Sequence, residues 1–136
     1  MADNDQDLKL LLQIRQARLN RQSRVCKAAQ QALQGKQNER ESLHQKMEEE
    51  EHKYQDQHTR QINTFIGRNS DLRGLIELKE REQTFLMHRH QMTREGDVLF
   101  QQIQQSRTSY LQEKDKLNEM EKAKIKIEEL IQMDWT

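Results

Sequence analysis

No proline occurs anywhere in the 136 residues, and that absence narrows the folds open to this chain more than any motif in it does. Proline ends helices and shapes turns, and average usage would supply roughly seven in a chain of this size. Glycine is scarce too, with four residues where roughly nine or ten would be average. What dominates instead is Gln, Glu, Lys, Arg, Leu and Met, straight-chain residues that lose little rotamer freedom in a helix. Hydrophobic residues make up 32% of the chain and charged residues 34%. A compact domain carries ~45–50% apolar residues, so this chain cannot fill a globular core. Disorder at this charge content is usually enriched in Pro, Gly and Ser, which these residues are not. The chain reads as long, solvent-washed helix.

Seven-residue ladders run through it. The first half carries Leu12, Leu19, Cys26, Leu33, Arg40, Met47, Tyr54 and Gln61. The second carries Leu78, Phe85, Met92, Leu99, Ser106, Glu113, Met120 and Ile127, with a companion row Leu75, Glu82, Arg89, Gly96, Ile103, Tyr110, Leu117, Lys124 and Ile131. Sustained heptads keep one seam facing a partner helix, as in a left-handed coiled coil. Polar members such as Arg40, Glu82, Arg89 and Glu113 lower the stability of that seam while helping to fix its register.

Between the ladders, FIGRNSDLRG (65–74) is where helix-stopping signals coincide. Gly67 can adopt the left-handed conformation that closes a helix, Asn69 or Ser70 can cap the next one, and Asp71 suits its positive end. The expected fold is all-α: two long helices, about 6–66 and about 71–133, forming one elongated antiparallel coiled-coil hairpin with a turn near residues 67–70. Each arm would span ~90 Å at 1.5 Å per residue. Placing the turn centre between residues 68 and 69 sets Leu19 near Leu117, Cys26 near Tyr110, Leu33 near Ile103 and Arg40 near Gly96. Gly35 and Gly96 stand without turn residues around them, so helix is expected to continue through both. A rival fold is one straight helix that dimerises along its whole length, which would carry Gly67, Asn69, Ser70 and Gly74 in its middle.

Apolar residues crowd the open end of this hairpin: Leu8, Leu10, Leu11, Leu12 and Ile14 on one arm, Ile125, Ile127, Leu130, Ile131, Met133 and Trp135 on the other. They exceed what one two-helix seam buries, and surplus apolar surface marks a partner site unless it serves to clamp fraying ends. Charge is segregated as well. Leu8 to Asn38 contains no acid and seven cations: Lys9, Arg15, Arg18, Arg21, Arg24, Lys27 and Lys36. Glu39 to Glu51 then holds six glutamates against Arg40 and Lys46. The basic block either meets a partner or is neutralised by Glu113, Asp115, Glu119 and Glu121 on the facing arm.

Motifs of chemistry are missing. There is no GxSxG elbow, no GxxxxGK[ST] loop and no GxGxxG, and a two-helix hairpin offers no water-restricted pocket, so a non-enzymatic chain without cofactor is expected. His44, His52, His58, His88 and His90 lack the i,i+4 spacing of a helical metal pair and read as surface residues. Cys26, alone on a ladder, is a small hydrophobe and excludes an intramolecular disulfide framework. Lys+Arg equals Asp+Glu at 23 each, and the basic block has no interleaved aromatics, so nucleic acid is not the expected partner. No apolar run reaches the ~18–20 residues of a membrane span, and MADNDQD lacks the order of a cleaved signal, which points to a cytoplasmic protein.

A proline-free hairpin that opens on LLLQIRQARLNR (10–21) and turns at IGRNSDLRGL (66–75) resembles the stalk proteins of type III secretion systems, the YscO/FliJ-like family. The resemblance covers nearly the whole chain and rests on architecture and size. It implies a stalk that binds the secretion ATPase hexamer, contacts the cytoplasmic domain of the export gate and recycles chaperones, peripheral to a membrane-embedded apparatus and monomeric when isolated. The residues it implies for partner binding are Leu8, Leu11, Leu12, Ile127, Leu130 and Ile131 as apolar grip, with Arg15, Arg18, Arg21 and Arg24 meeting acidic groups. A structural coiled coil that self-associates is the alternative from a different class.

Overall fold

The structure, a computed structural model, describes residues 2–67 and 72–134. They form two α-helices, α1 (Ala2–Gly67) and α2 (Leu72–Asp134), and no strand occurs among the described residues. This is the expected all-α two-helix hairpin. The expected caps Asn69, Ser70 and Asp71 lie outside the described residues, as does Trp135. Gly67 departs from expectation: no described residue has a positive φ, so α1 runs through Gly67 in the right-handed conformation. Helix also continues through Gly35 and Gly96. Mid-helix threonines are satisfied locally, with Thr64, Thr84, Thr93 and Thr108 each donating its hydroxyl to the carbonyl four residues back at 2.8–3.0 Å.

The helices pack within two compact units, one combining Met1–Gly35 with Ile103–Thr136 and the other formed by Lys36–Gln102. In the first unit the α1 residues turned inward are Leu8, Leu12, Arg15, Leu19, Gln22, Cys26, Ala29 and Leu33, alternating in steps of four and three. Half of these belong to the expected ladder. The other half, Leu8, Arg15, Gln22 and Ala29, form a companion row that apolar periodicity does not reveal because two of its members are polar. Opposite them on α2 stand Ile103, Tyr110, Glu113, Leu117, Met120, Ile127 and Ile131, all buried or half-buried. Ile103, Ile127, Cys26 and Gln22 are the buried ones.

The second unit is thinner, with Met92 as its buried residue and Leu43, Met47, Tyr54, Leu78 and Phe85 half-buried. The α2 companion row fails here at Leu75, Glu82 and Arg89, which are exposed, and regains the seam at Gly96, which is half-buried. The facing pairs are also displaced from expectation by about one helical turn. A Cβ on Gly96 would sit 3.7 Å from Leu43 Cδ2, while the Arg40 guanidinium lies 5.0 Å from the centroid of Phe100. Arg40 thereby leaves its ladder position for the surface and covers an aromatic face.

Since no described side chain is fully buried, stability depends on a few seam residues. Replacing Ile103 by Ala should cost about 2–4 kcal/mol in urea unfolding followed by circular dichroism, whereas Leu111→Ala, at an exposed position, should cost no more than about 0.5 kcal/mol. Equal losses at both sites would mean that the inward face has been misassigned.

Candidate partner-binding surface

The residues expected to bind a partner all fall in the first unit, and the structure sorts them into two groups. Ile127 is buried, and Leu8, Leu12, Arg15 and Ile131 are half-buried at seam positions, where they face the other helix. Leu11 and Leu130 are exposed, as are Arg18, Arg21 and Arg24. Around them lie further exposed apolar side chains, Leu10, Ile14, Ile125 and Met133, which no seam position claims.

The arginines are spaced by three residues. Each step of three advances ~300° around the axis, so successive side chains fall back by ~60° and wind round the outside of α1 instead of forming one straight line. Arg15 begins this path at the seam with its Nε buried and no hydrogen-bond partner for it among the described residues. Arg18, Arg21 and Arg24 continue it into solvent. Among the described residues none of the three has a carboxylate within 4.0 Å, so the facing acids do not neutralise them.

The acid that faces this segment is held otherwise. Gln22 donates its side-chain amide to the Glu113 carboxylate at 2.6 Å and to the Glu113 main-chain carbonyl at 3.0 Å. Lys116, on the same helix, adds a contact at 3.4 Å. The Gln22 hydrogen bond, with Lys116 in support and partial desolvation opposing, holds the Glu113 carboxyl below its ordinary pKa. Stepping by four and three from Leu19 or Cys26 would have located Gln22. Its polarity kept it off an apolar ladder.

Polar contacts between the helices in the second unit are of another kind. His88 Nε2 lies 2.7 Å from Glu50 Oε2, and Arg89 lies 3.5 Å from Glu51. Tyr54 stacks on Phe85 at 3.9 Å and 3°, with His58 against Tyr54 at 5.3 Å. Desolvation, and then the Glu82 carboxylate, push the Tyr54 phenol above its ordinary pKa, so it stays neutral. Glu50, Tyr54, His58, Phe85 and His88 border an open groove of about 510 Å³ whose walls mix Glu77 and Glu80 with Lys53 and Arg81. Among the described residues no group of three His, Cys, Asp or Glu is placed to hold a metal ion, and no helix is long and apolar enough to cross a membrane. No family model, curated protein or solved structure matches the chain.

The Gln22–Glu113 contact carries a pH signature. The folded pKa of Glu113 is lowered, so its contribution is present above the unfolded carboxylate range and is lost as pH falls through the folded value. Gln22→Ala should therefore destabilise the chain at neutral pH, and the difference from wild type should shrink on acidification through that range. A difference that stays constant in urea titrations across the range would show that the carboxylate charge is not what Gln22 serves.

Proposed function

We propose that this chain is a non-enzymatic stalk, a coupling protein of a type III secretion export apparatus, whose first unit binds the secretion ATPase ring and which also contacts the export gate and secretion chaperones. One observation carries the reading. Arg18, Arg21 and Arg24 wind round α1 with no carboxylate partner among the described residues, next to exposed apolar side chains. Guanidinium groups arrayed around a helix suit contact with acidic groups on several sides, as a surrounding ring would present them, and each fork can take a carboxylate in bidentate fashion. Leu10, Leu11 and Ile14 on α1, with Leu130 and Met133 on α2, supply apolar area for the same contact. In this role the chain works in the cytoplasm against the face of a membrane-embedded machine, and its seam does no chemistry beyond keeping two helices together.

A second reading has its own support. Ile66, Leu72, Leu75 and Ile76 are 49–76% exposed in the second unit, which favours a structural coiled coil that self-associates. Mass measured at rising concentration separates the two, since a stalk stays monomeric and a self-associating rod shifts upward.

Pull-down from cytosol with the purified chain should recover a hexameric secretion ATPase. Replacing Arg18, Arg21 and Arg24 by Glu should abolish recovery while helicity by circular dichroism is unchanged. Recovery of nothing but the chain itself would retire the stalk reading in favour of the structural one.

A further inference from the structure

A second heptad face runs along α1 beside the seam. Leu11, Ile14 and Val25 occupy it with Arg18 and Arg21 between them, and Ala28, Ala32 and Gly35 continue it, the eight positions alternating in steps of three and four. All eight are exposed. Each position of the row precedes a seam position by one residue, which sets it about 100° round the axis from the seam, so it cannot be a widening of the contact with α2. Leu11 to Gly35 spans about 36 Å of helix, all of it within the first unit.

The pattern specifies what would cover it. Alternation by three and four is the signature of a helix that receives another helix, knobs into holes. Ala28 and Ala32 are small, and a Cβ on Gly35 would meet nothing within 4 Å, so a neighbouring helix could approach closely there and insert large apolar side chains. Arg18 and Arg21 have no carboxylate partner among the described residues, so the arriving helix must carry acids opposite them. The same face on a second copy would not do, because Leu8 to Asn38 contains no acid and arginine would meet arginine.

We infer that this face of α1 docks an amphipathic α-helix of a partner protein, apolar along its heptad positions and bearing Asp or Glu opposite Arg18 and Arg21. The docking goes beyond the stalk reading and does not depend on which machine the chain serves.

The test uses two synthetic amphipathic peptides roughly four heptads long, with Leu at the a and d positions and either Glu or Lys flanking them. Their binding to the full chain is followed by fluorescence anisotropy. The Glu peptide should bind and the Lys peptide should not. R18E/R21E should weaken the Glu peptide by at least about tenfold and gain affinity for the Lys peptide. Ala28→Gln with Ala32→Gln, which adds bulk without charge, should weaken the Glu peptide as well. Both variants alter exposed positions, and circular dichroism checks that the helices persist. Equal binding of the two peptides, or Glu-peptide binding indifferent to R18E/R21E, would overturn the proposal. So would a dimer of the wild-type chain that R18E/R21E abolishes, since the face would then belong to a second copy through α2. Because the assay contains no secretion component, its failure removes this docking face alone, and failure to recover an ATPase removes the stalk reading alone.

Discussion

Everything in this structure depends on one narrow seam between the helices, two rows wide in the first unit. Two helices facing each other bury side chains in alternate steps of three and four, and each buried residue of the described chain, Gln22, Cys26, Met92, Ile103 and Ile127, lies on that seam. With apolar residues this sparse, the seam uses most of what it can reach and still accepts Gln22, Glu113 and Arg15. Gln22 is compatible with burial because its amide meets both the carboxylate and the carbonyl of one residue across the seam. An amide left without those acceptors would impose the desolvation cost of an unmade hydrogen bond. A slip of the helices past one another breaks both bonds at once, so a contact of modest net strength carries much of the register.

The two packing units solve the same problem with different chemistry. In the first, aliphatic residues at Ile103 and Ile127 flank the amide–carboxylate contact. In the second, aromatic stacking and surface ion pairs join Leu43, Met47, Leu78 and Met92. A stacked pair such as Tyr54 and Phe85 contributes ~0.5–1.5 kcal/mol beyond its burial, and exposed pairs such as Arg89–Glu51 contribute ~0–1 kcal/mol. The second unit is therefore the weaker of the two by composition. Low burial has a functional corollary: many side chains off the seam are exposed, and on α1 Leu11, Ile14 and Val25 fall on one heptad face with Arg18 and Arg21.

Much of the architecture was legible in the residues. The absence of proline and the two ladders dictated helices, and the polar cluster after Phe65 dictated where they separate. Less legible was what depends on polar side chains. The row through Leu8, Arg15, Gln22 and Ala29 has the right spacing, yet apolar periodicity passes over it. The α2 row through Leu75, Glu82 and Arg89 has a ladder's spacing without enough apolar residues opposite to hold it inward, so it turns to solvent. Arg40 was expected at Gly96, where a large side chain would fill a gap. It lies instead over Phe100, because a guanidinium gains more from an aromatic face at the surface than from a hole in a seam. Of the residues expected to grip a partner, Ile127 was the one most deeply claimed by the fold. Periodicity places such a residue on an inward row but does not say whether a partner or the other arm covers it.

The helices lie antiparallel with Gln22 against Glu113. This pairing can be tested by placing Cys at both positions (Gln22→Cys with Glu113→Cys) in a Cys26→Ala background and following disulfide formation in dilute solution. A rapid intramolecular bridge that leaves the mass of a single chain is expected, with much slower bridging when the second cysteine is moved one heptad along (Gln22→Cys with Met120→Cys). Bridging that occurs only between chains, or at equal rates for both pairs, would contradict the pairing.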